Sequence, residues 1–339
     1  MAVSFKTTAM IPHLLLVAIS GFLLIRAANW LVRGVGIMAE YLAWKEFVVA
    51  FFVMAIGASL PNLFIGFSSI AHGIPELSFG DILGNSVADL TLVAAIAALF
   101  MGKFSTKGKT VQTSSLITAA IALLPLLLIA DGVLSRGDGM VLILLFIAYA
   151  SWMISRRHAH GQIFEKTAQG PPAREFKKFL KGFAMILGGG TILFFSAEGI
   201  VRAAEFFAAE LHLPVMLLGI LGLGLGSALP ELYFAVAAAK AGKYWVVLGE
   251  ITGSIIILNT LVLGIVAILQ PITLGDPAHF TAARVFMIIA ALFFLMFVRS
   301  GKMVTKKEAL WLISLYLLFF LAELYTKAWC QPSTPLCLT

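Results

Sequence analysis

Charge is what this sequence has least of. Only 12% of its 339 residues are Asp, Glu, Lys or Arg, about half the share found in an ordinary soluble domain. Hydrophobic residues make up 60% and mean hydropathy is +1.00. Such a chain cannot coat itself with a wettable surface, which excludes a water-soluble globule and leaves lipid as the solvent for most of it. A long polar segment is also missing, which excludes a second, soluble domain. Cysteine is nearly absent. Cys330 and Cys337 stand in the short tail beyond the last apolar run, where a disulfide and two free thiols are equally open readings, neither with functional weight. No Cys or His cluster falls inside the apolar runs, which excludes a soft-metal site. His72, at a loop edge, reads as an ordinary solvated residue.

What the sequence has instead is long apolar runs, at 9–31, 40–72, 77–101, 112–130, 138–155, 182–209, 214–240, 244–270, 280–298 and 307–328. A bilayer core takes about 20 residues, so these predict ten spans of an all-α membrane protein. The second, third, seventh and eighth are interrupted by polar or Pro/Gly patches. A signal peptide is the rival reading of the first, but its apolar run continues through Trp30–Val32, too long for a typical secretory core. The net charge of +7 raises the question of nucleic acid, and its placement answers it. With the N-terminus outside, 17 basic residues fall in inner loops and three (Lys6, Arg136, Lys327) fall outside. That asymmetry is a topology signal, aided by anionic headgroups. It predicts a multi-pass protein with both termini outside and no nucleic-acid partner.

The chain repeats itself. Sliding it by 169 residues lays Gly57-Ala58-Ser59-Leu60-Pro61-Asn62-Leu63 on Gly226-Ser227-Ala228-Leu229-Pro230-Glu231-Leu232. The same register, without a gap, pairs Arg33 with Arg202, Gly80 with Gly249, Gly84 with Gly253 and Thr91-Leu92-Val93 with Thr260-Leu261-Val262. Each half holds five spans, an odd number, so the second enters the membrane from the opposite side. Inverted repeats are a transporter architecture, with the substrate site where the repeats meet. The predicted organisation is a first five-helix repeat at 1–155, a cytoplasmic linker at 156–181, a second five-helix repeat at 182–329 and an external tail at 330–339. Residues 174–181 read as solvated linker, with a surface-lying amphipathic helix as the alternative.

Mid-span polar residues locate the chemistry, because a carboxylate at the bilayer centre costs about 2.5–3.5 kcal/mol on insertion scales. The first repeat supplies Asn62, Asp81, Asn85 and Asp89; the second supplies Glu231, Glu250 and Ser254. Pro61 and Pro230 lack the N–H that would pair with the carbonyls of Gly57 and Gly226. Freed carbonyls lining a cavity can hold a cation, so broken helices are expected at the centre. Asp81, Asn85 and Asp89, spaced by four, share roughly one helix face. Hard oxygen ligands suit Ca²⁺, and alkali ions as well. Asp81 and Glu250 rank second, since each could start a half-helix near the membrane surface. Arg33 and Arg202 read as interface anchors, and Asn29 and Glu198 as weak candidates that pair with neighbours.

These motifs resemble the alpha repeats of the cation/calcium exchanger superfamily, whose pattern is G-T-S-x-P-E followed by G-N-x-x-G-S-N. Here the pattern stands as Gly57-Ala58-Ser59-Leu60-Pro61-Asn62 with Gly80-Asp81-Ile82-Leu83-Gly84-Asn85. Its second copy is Gly226-Ser227-Ala228-Leu229-Pro230-Glu231 with Gly249-Glu250-Ile251-Thr252-Gly253-Ser254. The stretches from Ala28 to Gly34 and from Ala197 to Arg202 resemble the family's long gating helices. The resemblance implies a divalent ion held by Glu231, with Asp89 supplying the carboxylate that Asn62 lacks. Asn85, Ser254, Ser59, Ser227 and the carbonyls of Gly57 and Gly226 would stand around it. Leu258 removes a ligand the family links to sodium, and Ala58 and Ala228 each lack a hydroxyl.

The expected protein is thus a secondary antiporter, not an enzyme, exchanging Ca²⁺ or a related cation for Na⁺ by alternating access, with no cofactor. Its partners are inorganic cations and the bilayer, and its modest length points to a prokaryotic inner membrane. An H⁺-driven cation exchanger is the alternative within transport, given Asp81, Asp89, Glu250 and Leu258. A degenerate, non-transporting homologue with a binding or regulatory role is the alternative outside it. An intramembrane aspartyl protease is disfavoured, because Ser78-Phe79-Gly80-Asp81 lacks the longer glycine motif and inverted repeats would go unexplained.

Overall fold

The computed structural model describes residues 2–41, 57–101, 103–105, 109–158, 176–211, 213–240, 244–274, 280–299 and 303–329. The Pro171-Pro172 linker, the cysteine tail and the first part of the second apolar run lie outside the described residues. Among those described, nine helices are long and apolar enough to cross a membrane, and Ser59–Ala71 is a shorter apolar helix.

In chain order the first repeat comprises α1 (Ala2–Tyr41), α2 (Gly57–Ala71), α3 (Pro75–Ala88), a π-turn at Asp89–Val93, α4 (Ala94–Met101), α5 (Lys109–Leu128) and α6 (Arg136–His158). The second comprises α7 (Phe176–Leu211), a short turn at Val215–Leu217 leading into a π-turn at Leu218–Leu223, α8 (Gly224–Lys240), α9 (Tyr244–Ile256), a π-turn at Ile257–Val262, α10 (Leu263–Leu269), α11 (Thr281–Arg299) and α12 (Lys306–Trp329). Residues 176–181, expected in the linker, form the first turns of α7.

Two short antiparallel ladders show how the repeats relate. β1 (Lys103–Ser105) pairs with β4 (Met303–Thr305), and β2 (Val133–Leu134) pairs with β3 (Ile272–Thr273). Adding 169 to β1 lands on β3, and adding 170 to β2 lands on β4, so each ladder is the image of the other. Helix α5 runs from β1 to β2, which puts the two ladders at opposite ends of the bundle. A symmetry that exchanges the ends is an inversion. The following helices start alike as well. Ser135 and Asp138 bond reciprocally at the head of α6, as do Thr305 and Glu308 at the head of α12. Each is a capping box that satisfies two otherwise unpaired N–H groups.

Helices α1 and α7, 40 and 36 residues long, lie against each other. At 1.5 Å per residue both exceed the roughly 30 Å hydrocarbon core, so they tilt or project beyond it. Small residues let them approach closely. A Cβ on Gly34 would stand 2.8 Å from the Gly182 carbonyl, and one on Gly189 would stand 3.0 Å from that of Ala27.

Contact between the repeats is closest where α3 meets 215–224. A Cβ on Gly80 would fall 2.5 Å from the Met216 carbonyl, one on Gly219 would fall 2.5 Å from that of Leu77, and one on Gly224 would fall 2.6 Å from the Gly84 Cα. Backbone lies directly on backbone here. Helix α3 is aimed by its connection to α2, where Gly73 takes φ +73°. There Gly73 N donates to Ile70 O and Ile74 N to Ser69 O. This is a Schellman stop, and Pro75 then starts α3 at the position where a missing N–H costs nothing.

Candidate cation site

The polar residues predicted mid-span are brought together around this backbone contact. Asn62 on α2, Asp81 and Asn85 on α3, and Asp89 at the head of the π-turn are all 0% exposed. Glu231 on α8 and Ser254 on α9 are each 1% exposed. Ser59 and Ser227 are buried, while Glu250 on α9 is half-buried. Glu231 stands within electrostatic reach of both Asp89 and Glu250, so carboxylates of opposite repeats do face one another. Asn85 approaches Glu231, and Ser254 approaches Asp89.

Few of these groups are satisfied by the protein. Ten buried polar atoms on Asn62, Asn85, Asp89, Glu231, Glu250 and Ser254 have no hydrogen-bond partner, and nine of the ten are oxygens. A buried unpaired polar atom costs about 1–3 kcal/mol, more if charged, and native cores hold few per 100 residues. So many acceptors in one place make a cluster, called the chamber below, whose chemistry suits a hard cation or protons. Among the described residues no three Asp, Glu, His or Cys side chains gather into a metal site of their own. A cation here would therefore draw on amide, hydroxyl and backbone oxygens in addition to carboxylates, as the six to eight oxygens of Ca²⁺ permit.

The helix interruptions follow the same logic. Pro61 and Pro230 lie inside α2 and α8, and the departure from regular helix takes the form of π-turns. The turns at 89–93 and 257–262 match under the repeat offset. Each holds a Thr, Thr91 or Thr260, that donates to the carbonyl four residues back. Such back-bonding bends helices, and π-bulges inside α-helices are frequent at functional sites.

Asp81 does not start its helix and is fully buried. It sits within α3, where its Oδ2 accepts from Asn62 Nδ2 and its Oδ1 from Ser227 Oγ, both at 2.9 Å. Gly57 begins α2, and Gly226 lies on an exposed face of α8, with open space where a Cβ would stand. Asn29 turns its amide to Ile25 O of its own helix, 3.0 Å away.

His72 is not an ordinary solvated residue. Its Nε2 meets Glu198 Oε1 and its Nδ1 meets Glu205 Oε2, each at 2.9 Å. Glu198 also accepts from Ser68 Oγ and Arg202 Nε. The expected partner for Glu198 is thus a cluster that fastens the end of α2 to α7. The hydrogen bond to Glu198, then the one to Glu205 and the charges of both carboxylates, raise the His72 pKa above 6.5 despite partial burial.

A sequence model of the sodium/calcium exchanger protein family matches residues 12–155 and 181–325. The chain belongs to this family. It is 30% identical to an uncharacterized membrane protein of Methanocaldococcus jannaschii, over 68% of this chain and 74% of that one. It is 24% identical to the sodium/calcium exchanger MaX1 of Methanosarcina acetivorans, over 89% and 95%. Its fold is similar to that of the sodium-calcium exchanger NCX_Mj soaked with Na⁺ and Sr²⁺, with a TM-score of 0.61 and 23% identity over 91% of this chain and 98% of that one. Family membership makes the chain a transporter rather than an enzyme, with cations as its cargo.

One polar contact at the centre of this exchanger fold escaped sequence reasoning. Asn259 Nδ2 donates to Ser86 Oγ at 2.7 Å across the repeats, and to Ile255 O at 2.9 Å. The repeat offset pairs Asn259 with Leu90 and so gave no cue. A lone amide inside the apolar stretch from Ile255 to Val262 was the available signal.

Proposed function

We propose that this exchanger-family protein is a secondary active antiporter that moves Ca²⁺ or a related cation against Na⁺, by alternating access, across a prokaryotic inner membrane. The supporting observation is the convergence of unpaired buried oxygens from both repeats, led by Glu231 and Asp89 with Asn62, Asn85 and Ser254 beside them. Competing cations would share one set of acceptors, so that neither binds well while the other is held. That competition couples the two fluxes. Leu258, fully buried where a further polar ligand would otherwise stand, and the extra carboxylates Asp81 and Glu250 favour a second reading in which H⁺ replaces Na⁺. The charge asymmetry of the loops supports a multi-pass topology with both termini outside. The names of MaX1 and NCX_Mj, each called a sodium/calcium exchanger, support the choice of cations.

The test is flux in proteoliposomes, with Na⁺, K⁺ and pH gradients imposed separately across a panel of divalent cations. Ca²⁺ uptake should follow an outward Na⁺ gradient, and Glu231→Gln or Asp89→Asn should abolish it. Uptake driven by a pH gradient alone decides for H⁺ coupling. Wild-type uptake in both variants removes these residues from the site, and absence of any flux across the panel leaves the non-transporting alternative.

A further inference from the structure

Asn62 holds its amide in one orientation. Nδ2 donates to Asp81, while Oδ1 is buried and meets no donor. A side-chain amide has two ends of nearly equal shape and opposite polarity, and only the oxygen end can coordinate a cation. Whatever fixes the flip therefore decides whether Asn62 is a ligand or an obstacle. Asp81 is placed to fix it. Both of its oxygens accept from donors, Asn62 on one side and Ser227 of the other repeat on the other, so the face it turns to the amide is an acceptor. A flipped Asn62 would set its oxygen against Asp81 Oδ2, two acceptors face to face. It would also turn an NH₂ group toward the chamber of Asn85, Asp89 and Glu231.

We propose that Asp81 is a positioning residue, which, with Ser227 as its anchor in the opposite repeat, locks the Asn62 amide with its oxygen toward the transported cation. This rests on the reading that Asn62 lines the cation path. It also gives the two repeats unequal roles at matched positions. The second repeat places a carboxylate, Glu231, at the chamber. At the matched position the first places the neutral oxygen of Asn62, with the Asp81 carboxyl group one hydrogen bond behind it, and supplies its carboxylate to the chamber from Asp89 instead. A neutral ligand holds a cation less tightly than a carboxylate would, so the lock tunes affinity and selectivity rather than creating the site.

Reconstituted protein with Ca²⁺ as the probe tests this. Asp81→Asn presents either end of an amide to Asn62 and releases the lock. KM for Ca²⁺ should rise about tenfold, the loss expected for one charge-assisted hydrogen bond, while kcat is retained. Ser227→Ala should raise KM less. The exchanged pair Asn62→Asp with Asp81→Asn re-forms the hydrogen bond with donor and acceptor swapped, and a carboxylate at 62 needs no orienting. KM should then fall back to the wild-type value or below it, since the ligand at 62 is now a carboxylate. The concentration of Ca²⁺ needed to protect against thermal unfolding in detergent gives the same comparison for any variant that does not transport. An unchanged KM in Asp81→Asn overturns the proposal, as does an exchanged pair no better than Asp81→Asn alone. If Glu231→Gln abolishes uptake in the same series, only the lock has failed. If Glu231→Gln also leaves uptake intact, the site reading itself has failed.

Discussion

Gly224 offers a direct test of whether the repeat contact builds the site. A Cβ placed there would stand 2.6 Å from Gly84 Cα and 2.7 Å from Asn85 N, both backbone atoms that cannot rotate away. Ordinary contact begins at 3.4 Å, so Gly224→Ala requires α3 and α8 to part by about 0.8 Å. Overpacking of this kind costs about 1–3 kcal/mol. The displacement also exceeds the roughly 0.5 Å within which a binding constellation must be held, and it falls on the residue that carries the Asn85 side chain. Gly222→Ala is the control, two residues away on an exposed face with nothing within 4 Å. It should be neutral or stabilise by about 0.4–1 kcal/mol through the unfolded chain. The assay is thermal unfolding in detergent beside Ca²⁺ uptake in proteoliposomes. Gly224→Ala should melt several degrees lower and lose most of its uptake, while Gly222→Ala keeps both. If the two variants behave alike, the glycine contact does not hold the site together.

Two other perturbations follow from single contacts. Asn259→Leu removes the amide that Ser86 accepts from and leaves a buried hydroxyl unpaired, so stability should fall by about 1–3 kcal/mol; an unchanged melting temperature would show that Ser86 finds another donor. His72 makes stability depend on pH in one direction. Its folded pKa is raised above the usual 6.5 by Glu198 and Glu205. The cluster therefore contributes fully below about pH 6.5 and loses its contribution as pH rises through the elevated folded value. Glu198 and Glu205 of α7 are the charged groups that act on the imidazole, and Arg202 meets Glu198 from its other side. Melting temperatures of wild type and His72→Gln should differ most near pH 6 and converge by about pH 9; a gap that widens with pH would reverse the assignment.

The repeat, the inversion and the identity of the buried polar residues were legible in the sequence, because each rests on a pattern local in the chain or exact in its offset. Pro61 and Pro230 at matched positions, each followed by a polar residue, were enough to single out Asn62 and Glu231, both of which are buried. What was hidden depends on which side chains meet. Asp81 looked like a helix-start residue beside Gly80, yet Pro75 starts that helix six residues earlier and carries Asp81 inward. Its partners, Asn62 and Ser227, lie 19 and 146 residues away in the chain, beyond any periodicity. His72 looked solvated because it stands at a loop edge, while the carboxylates that hold it come from α7, more than 120 residues on. Asn259 was masked by the repeat comparison itself, which directs attention to matched positions and away from an unmatched amide.

The ladders and the His72 cluster also bear on which parts move under the proposed alternating access. β1 with β4 and β2 with β3 join the two repeats at opposite ends, tying the loops around α5, α6, α11 and α12 into one frame. No such ladder reaches α1 or α7 among the described residues. They lie on each other through glycine-lined faces, as a pair that slides together would. Beside the apolar packing of Ile65 and Leu77 on Leu193 and Ala197, the polar tie from α7 to α2 is the bond set of His72, Glu198 and Glu205, whose side chains are partly exposed and able to exchange partners. A cleavable thiol cross-linker between His72→Cys and Glu205→Cys, in a background with Cys330 and Cys337 replaced by Ser, makes that tie permanent. Cation binding, read as protection against thermal unfolding, should survive cross-linking, since neither residue lines the chamber. Uptake should stop and should return when the linker is cleaved. Full uptake in the cross-linked protein would show that α7 and α2 travel together, and the moving part would have to be sought elsewhere in the bundle.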